Sequence, residues 1–142
     1  DPSNGQTLLM TSALMGYPDL ARLLLEKGAS PAVAEKDGYT PMHGCGFQGR
    51  AAVCRVLAEH GLDVDDVHSD GYTPLHRACW GSERRHTDTV KALLDAGADI
   101  NRVSSDSGET ALDMARRNKA TERLLLSHGA KSAWAPDEDP EL

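Results

Sequence analysis

The sequence predicts an all-α solenoid of stacked helix-turn-helix units, and three observations lead to that fold class. Thr7, Thr40 and Thr73 stand 33 residues apart and Thr110 follows 37 later, with Gly5, Gly38, Gly71 and Gly108 each two places earlier. The second halves of the units align too: Leu23-Leu24-Leu25-Glu26-Lys27-Gly28 matches Val56 to Gly61, Ala92 to Gly97 and Leu124 to Gly129. Within each unit the apolar residues fall on neighbouring helical turns, and a fixed period of this length marks one supersecondary element that stacks on copies of itself.

Each element follows from its residues. The Asp-Gly pairs at 37–38 and 70–71 supply a tight turn with positive φ, and the threonine two places on puts an oxygen where free backbone N–H groups need capping. Pro41 and Pro74 then occupy the first helical position, where the missing N–H costs nothing. The helix that starts there is short, because Gly16, Gly49 or Gly81 follows within nine residues of the threonine. A second helix runs to Gly28, Gly61, Gly97 or Gly129 as its C′ residue. One such hairpin cannot cover its apolar stripe, so neighbours share an elongated core. The predicted division is a repeat domain over 1–130, with units near 4–36, 37–69, 70–106 and 107–130, followed by an acidic, disordered tail over 131–142.

Asp37-Gly38-Tyr39-Thr40-Pro41-Met42-His43 and Asp70-Gly71-Tyr72-Thr73-Pro74-Leu75-His76-Arg77-Ala78 closely match the T-P-L-H-x-A signature of ankyrin repeats. The chain resembles an ankyrin-repeat protein over Asn4 to Ala130. That resemblance implies helical pairs with β-turn or hairpin tips, a concave groove, a protein or peptide partner, and neither cofactor nor catalysis. It also implies that His43 and His76 hydrogen-bond around the neighbouring threonine and turn. The third unit departs by about three extra residues within 82–87, read as a bulging loop, and by one more near 104–107. Leu8-Leu9-Met10 and Ala111-Leu112-Asp113 replace the signature in the first and fourth units, as terminal units commonly do. Arg116, Arg117, Asn118, Lys119, Glu122 and Arg123 suit a polar cap, whereas the first unit stays apolar and leaves room for a further repeat upstream. The chain also opens at Asp1 without a methionine.

Composition excludes several function classes. Fifteen Lys and Arg against 22 Asp and Glu give a net charge of −7, of which four negative charges lie in 136–142, leaving the rest near −3. That sign disfavours nucleic acid. No run of about 18 apolar residues is present to insert in a membrane. Cys45, Cys54 and Cys79 are odd in number, and there is no Asn-x-Ser/Thr acceptor, so the expectation is a cytoplasmic or nuclear monomer that is not secreted, with buried core thiols. No hydrolase elbow, phosphate loop or zinc-protease helix is found, so the reading is not an enzyme. A metal domain built on His43, Cys45, His76 and Cys79 is an alternative, weakened by the lack of any C-x-x-C pair. A targeting or regulatory segment of a larger enzyme or channel is another.

Residues at equal offsets in stacked units line up as rows. Gln6, Tyr39, Tyr72 and Glu109 precede the threonines, and Leu14, Phe47, Trp80 and Arg117 follow seven places later. Tyr39, Phe47, Tyr72 and Trp80 are four of only six aromatic residues, and the resemblance places both rows on the groove. The predicted partner-binding face is completed by Lys36, Gln48, Ser69, Arg77, Arg84 and Arg85, the arginines pointing to a partner with an acidic segment.

Overall fold

The computed structural model describes residues 8–29 and 38–134. Among them the chain forms four consecutive helical pairs: α1 (Leu8–Met15) with α2 (Pro18–Glu26), α3 (Pro41–Gln48) with α4 (Ala51–Glu59), α5 (Pro74–Cys79) with α6 (Arg84–Asp95), and α7 (Ala111–Met114) with α8 (Lys119–Ser127). A 3-10 turn over Ala115–Arg117 extends α7. The first helices pack in one layer, α1 on α3 on α5 on α7, and the second helices in another, α2 on α4 on α6 on α8. The tips carry no strand among the described residues, but hairpin-like bonds close them, from His68 N to Tyr72 O at 3.0 Å and from Ser104 N to Glu109 O at 2.8 Å.

The helix starts follow the sequence signals. Thr40, Thr73 and Thr110 each take the backbone N–H of the third residue on, and the side chains of His43, His76 and Asp113 accept the threonine's own N–H at 3.0, 3.1 and 3.0 Å. This is a capping box with a histidine in the place usually held by a glutamate. The other ring nitrogen reaches the tip that leads into the next unit, where Asp66 O lies 2.8 Å from His43 Nε2 and Arg102 O lies 3.0 Å from His76 Nε2. Nδ1 must accept and Nε2 must donate, so one neutral tautomer satisfies both bonds. The resemblance implied these histidine bonds to the threonine, and the structure shows them. Thr7, the first of the series, lies outside the described residues.

Helix ends are equally regular. Ala29 N to Leu24 O, Leu62 N to Leu57 O, Ala98 N to Leu93 O and Ala130 N to Leu125 O, at 2.9 to 3.1 Å, close four Schellman motifs. Each needs the left-handed glycine that precedes it, with φ between 86° and 97°. In the core, Leu9, Met42 and Leu75 fill the first layer while Val53, Leu57, Val90, Leu93 and Leu125 fill the second, all at most 2% exposed. Between first helices the contact residues are small: Ala13, Gly46 and Cys79 are buried at the same offset of successive units. A Cβ on Gly46 would meet Pro74 O at 2.7 Å, so α3 and α5 approach more closely than any larger residue allows.

Two expectations are corrected. The extra residues of the third unit do not bulge: they lengthen α6 to 12 residues, and Glu83 caps it with His86 as partner. Gly81, between α5 and α6, is needed for space, because a Cβ there would run into the His86 ring. Cys45 and Cys54 are not separate core thiols. The α3–α4 hairpin brings their Cα atoms to 5.8 Å and they are joined as a disulfide, which leaves Cys79 as the free, buried cysteine. Just past Ala130, the expected end of the repeat domain, Ser132 Oγ and Ala133 N donate to Asp113 at 2.5 and 2.9 Å. Residues 135–142, the remainder of the expected tail, lie outside the described residues.

Two outcomes are expected from this packing. Leu75→Ala or Leu93→Ala costs about 2 to 5 kcal/mol in a denaturant melt, while Tyr39→Ala costs less than either. Burial holds His43 and His76 below their ordinary 6.5, against the raising effect of the carbonyls of Asp66 and Arg102. The unfolded chain therefore binds more protons near and below pH 6.5. The stability is present in full above that pH and falls as pH drops through it toward the depressed native values. The melting temperature should decline from pH 6.5 to about 5, with a flatter profile in a His43→Gln, His76→Gln variant.

Candidate functional site

Tyr39 and Tyr72 immediately precede the cap threonines, so they sit where each tip enters its first helix. At the second tip, Asp70 Oδ1 accepts Tyr72 N–H at 3.1 Å, an Asx turn that fixes the tyrosine's backbone. Trp80 is the C-cap of α5, and Arg77 lies one turn before it on the same helix. The Tyr72 and Trp80 rings meet edge to face with centroids 4.7 Å apart, and Tyr72 also meets His76 at 5.9 Å. Tyr39 stacks on His43 at 5.6 Å and takes the edge of His68 at 5.3 Å.

Arg77 joins the two aromatic groups. Its guanidinium carbon lies 5.1 Å from the Tyr39 ring centroid and 5.7 Å from that of Trp80, within cation–π range of both. Its Nη2 donates to Asp70 Oδ2 at 2.5 Å and lies 2.7 Å from His68 Nδ1, while its Nε is buried with no hydrogen-bond partner. Burial alone would raise the Asp70 carboxyl; the Tyr72 amide, His68 and the Arg77 guanidinium together bring it below its usual value. Tyr39, Arg77, Trp80 and Tyr72 thus form one continuous ladder across the second and third units.

The predicted face is only partly this ladder. Tyr39, Tyr72 and Trp80 are half-buried, and both Tyr72 and Trp80 rest one side on the core. Phe47 is 46% exposed at the end of α3, and no ring contact joins it to the others. Arg77 is 7% exposed and already paired with Asp70, so it is not the open receptor for a partner's carboxylate that the sequence suggested. Arg84 and Arg85 are exposed, but they stand on the first turn of α6 instead of on a loop. Gln48 is half-buried, Ser69 is exposed on the tip, and Lys36 lies outside the described residues.

Sequence reasoning missed a cleft. Trp80 shares a hollow of about 300 Å³ with Glu109, Asp113, Met114, Arg116 and Arg117, between the third and fourth units. Arg117 was visible as the successor of Trp80 in its row, but the apolar floor added by Met114 shows only once α7 is packed against α5. Arg116 and Arg117 are exposed, and Arg116 makes only a 3.7 Å ion pair with Glu109. Asp113 is occupied: burial would raise its carboxyl, but bonds from Ser132, Thr110 and Ala133 hold it low.

The residues of the metal alternative are engaged elsewhere. His43 and His76 hold carbonyls, Cys45 is bonded to Cys54, and burial pushes the Cys79 thiol upward. Among the described residues no three His, Cys, Asp or Glu side chains are grouped to hold an ion. Nor, among them, is any helix long and apolar enough to cross a membrane.

A family profile described as ankyrin repeats in three copies matches residues 9–104 and, overlapping, 65–134. The chain belongs to the ankyrin-repeat family. No curated protein matches it significantly as a relative. Ankyrin repeats are generally protein–protein interaction modules and typically noncatalytic. In this ankyrin stack the ladder and the cleft beside it are where aromatic and cationic side chains gather.

Removing the central rung tests the ladder's structural share. Arg77→Ala leaves Asp70 without its cation and uncovers two rings, and should cost about 1 to 3 kcal/mol in a chemical melt. Arg77→Lys, which keeps the charge but not the planar fork, should recover only part of that.

Proposed function

We propose that the chain is a noncatalytic ankyrin module that holds a protein or peptide partner in its groove, along the row of Phe47, Trp80 and Arg117. The observation that carries this reading is the cleft in which half-buried Trp80 and Met114 supply an apolar floor beside the exposed Arg116 and Arg117. An aromatic or aliphatic side chain fits the floor, and an adjacent carboxylate pairs with the guanidinium groups at the rim. Because Arg77 is neutralised within the chain, the acidic-segment preference rests on Arg116 and Arg117, with Arg84 and Arg85 farther along. Tyr39 and Tyr72 contribute their exposed edges.

The reading includes a monomer in the cytoplasm or nucleus, although the closed Cys45–Cys54 pair removes the cysteine argument for a reducing compartment. Affinity enrichment followed by mass spectrometry identifies the partner, and calorimetry on the purified pair locates the contact. Trp80→Ala with Phe47→Ala should weaken binding about 30-fold or more with folding retained, as expected for an aromatic anchor. Arg116→Glu with Arg117→Glu should weaken it further at low salt than at high salt. Arg55→Ala, on the outer helix α4, should leave affinity unchanged. Undiminished binding in the first variant would reject this face.

A further inference from the structure

The two flanks of the stack are finished differently. Compare positions that are covered wherever a unit has a predecessor. Pro41, Pro74 and Ala111 are all buried, but their counterpart Leu8 is 64% exposed. Val53, Thr89 and Thr121 are fully buried, and their counterpart Leu20 is half-exposed. Val56 and Ala92 are 2% exposed and Leu124 is half-buried, whereas Leu23 is 50% exposed. Leu57, Leu93 and Leu125 are buried, and Leu24 is only partly so.

At the opposite end the same comparison gives polar residues. Ala13, Gly46 and Cys79 are buried where a successor covers them, and their counterpart in the last unit is the exposed Arg116. Ala21, Cys54 and Val90 are buried, and their counterpart is Glu122. A terminal flank that faces water needs such a polar finish. The flank of α1 and α2 instead keeps four leucines at interior positions, a grouped apolar face of the kind that marks an interaction surface.

We infer that the α1–α2 flank is a docking surface for one further helical hairpin of the repeat type, seated on Leu8, Leu20, Leu23 and Leu24 as the first unit is seated on the second. The occupant follows from continuity with the stack, since α1 on α3 and α2 on α4 already show what covers these positions one unit later. Head-to-tail pairing of two copies of this chain is disfavoured, because it would set Arg116 and Glu122 against leucines.

The test joins a copy of residues 37–69, in register, ahead of Asn4. The added hairpin should raise the melting temperature by roughly 5 °C or more and slow amide exchange in α1 and α2. Leu20→Lys with Leu23→Lys should abolish both gains. The same copy joined behind Trp134, against the polar flank, should produce neither. Apolar dye binding by the unextended chain provides a readout that does not depend on the longer protein folding, and Leu8→Lys with Leu23→Lys should remove most of it. No gain from the leading hairpin, or dye binding that survives the lysines, overturns the proposal. So does concentration-dependent dimerisation of the unextended chain in sedimentation that Leu23→Lys abolishes, which makes a second copy the occupant. A melting loss for Leu23→Lys alone as large as that for Leu93→Ala would show the face already covered, and overturns it as well.

Discussion

The imidazoles of His43 and His76 couple two scales of organisation. One nitrogen accepts the N–H of the cap threonine, so the ring completes the start of its own helix; the other donates to a carbonyl in the tip that leads into the next unit. A cap made by glutamate would stabilise the helix and stop there. Here the same side chain that starts α3 or α5 also sets the position of the following tip, and the tip in turn positions the next threonine and tyrosine. Local geometry and stacking register are therefore one interaction. The fourth unit uses Asp113 in the same place, and its second oxygen gathers Ser132.

The fold was legible because its signals are local and repeated. Threonine, proline and glycine each act within a few residues of their own position, and four aligned copies let weak preferences reinforce one another. The failures came where one residue's role depends on a distant one. Residues 82–87 read as a bulging loop until Glu83 and His86 are seen to cap α6, with the His86 ring lying over Gly81. Cys45 and Cys54 sit nine apart on two different helices, and only the hairpin that joins those helices brings their Cα atoms to bonding range.

The aromatic face was legible as a row, but its internal contacts were not. Offsets found the residues that share a side of the stack, which is why Tyr39, Phe47, Tyr72, Trp80 and Arg117 fell into two series. They did not show that Arg77 bridges Tyr39 and Trp80 or that Asp70 neutralises it. An arginine held between rings and tied to a carboxylate acts as part of the frame. It keeps the two tyrosines and the tryptophan in one arrangement, which would reduce the ordering cost of the binding proposed for this face.

The small residues between first helices carry a consequence of their own. Ala13, Gly46 and Cys79 are buried at one offset of α1, α3 and α5, and at Gly46 not even a Cβ fits against Pro74 O. Interaxial distance follows side-chain size, so side-chain volume at these positions sets how closely the first helices approach. The alignment of one unit on the next is thus written partly in residues that never reach the surface. A methyl group added at Gly46 would push α5 away from α3 and shift the third unit's surface against the second's, without altering any exposed residue.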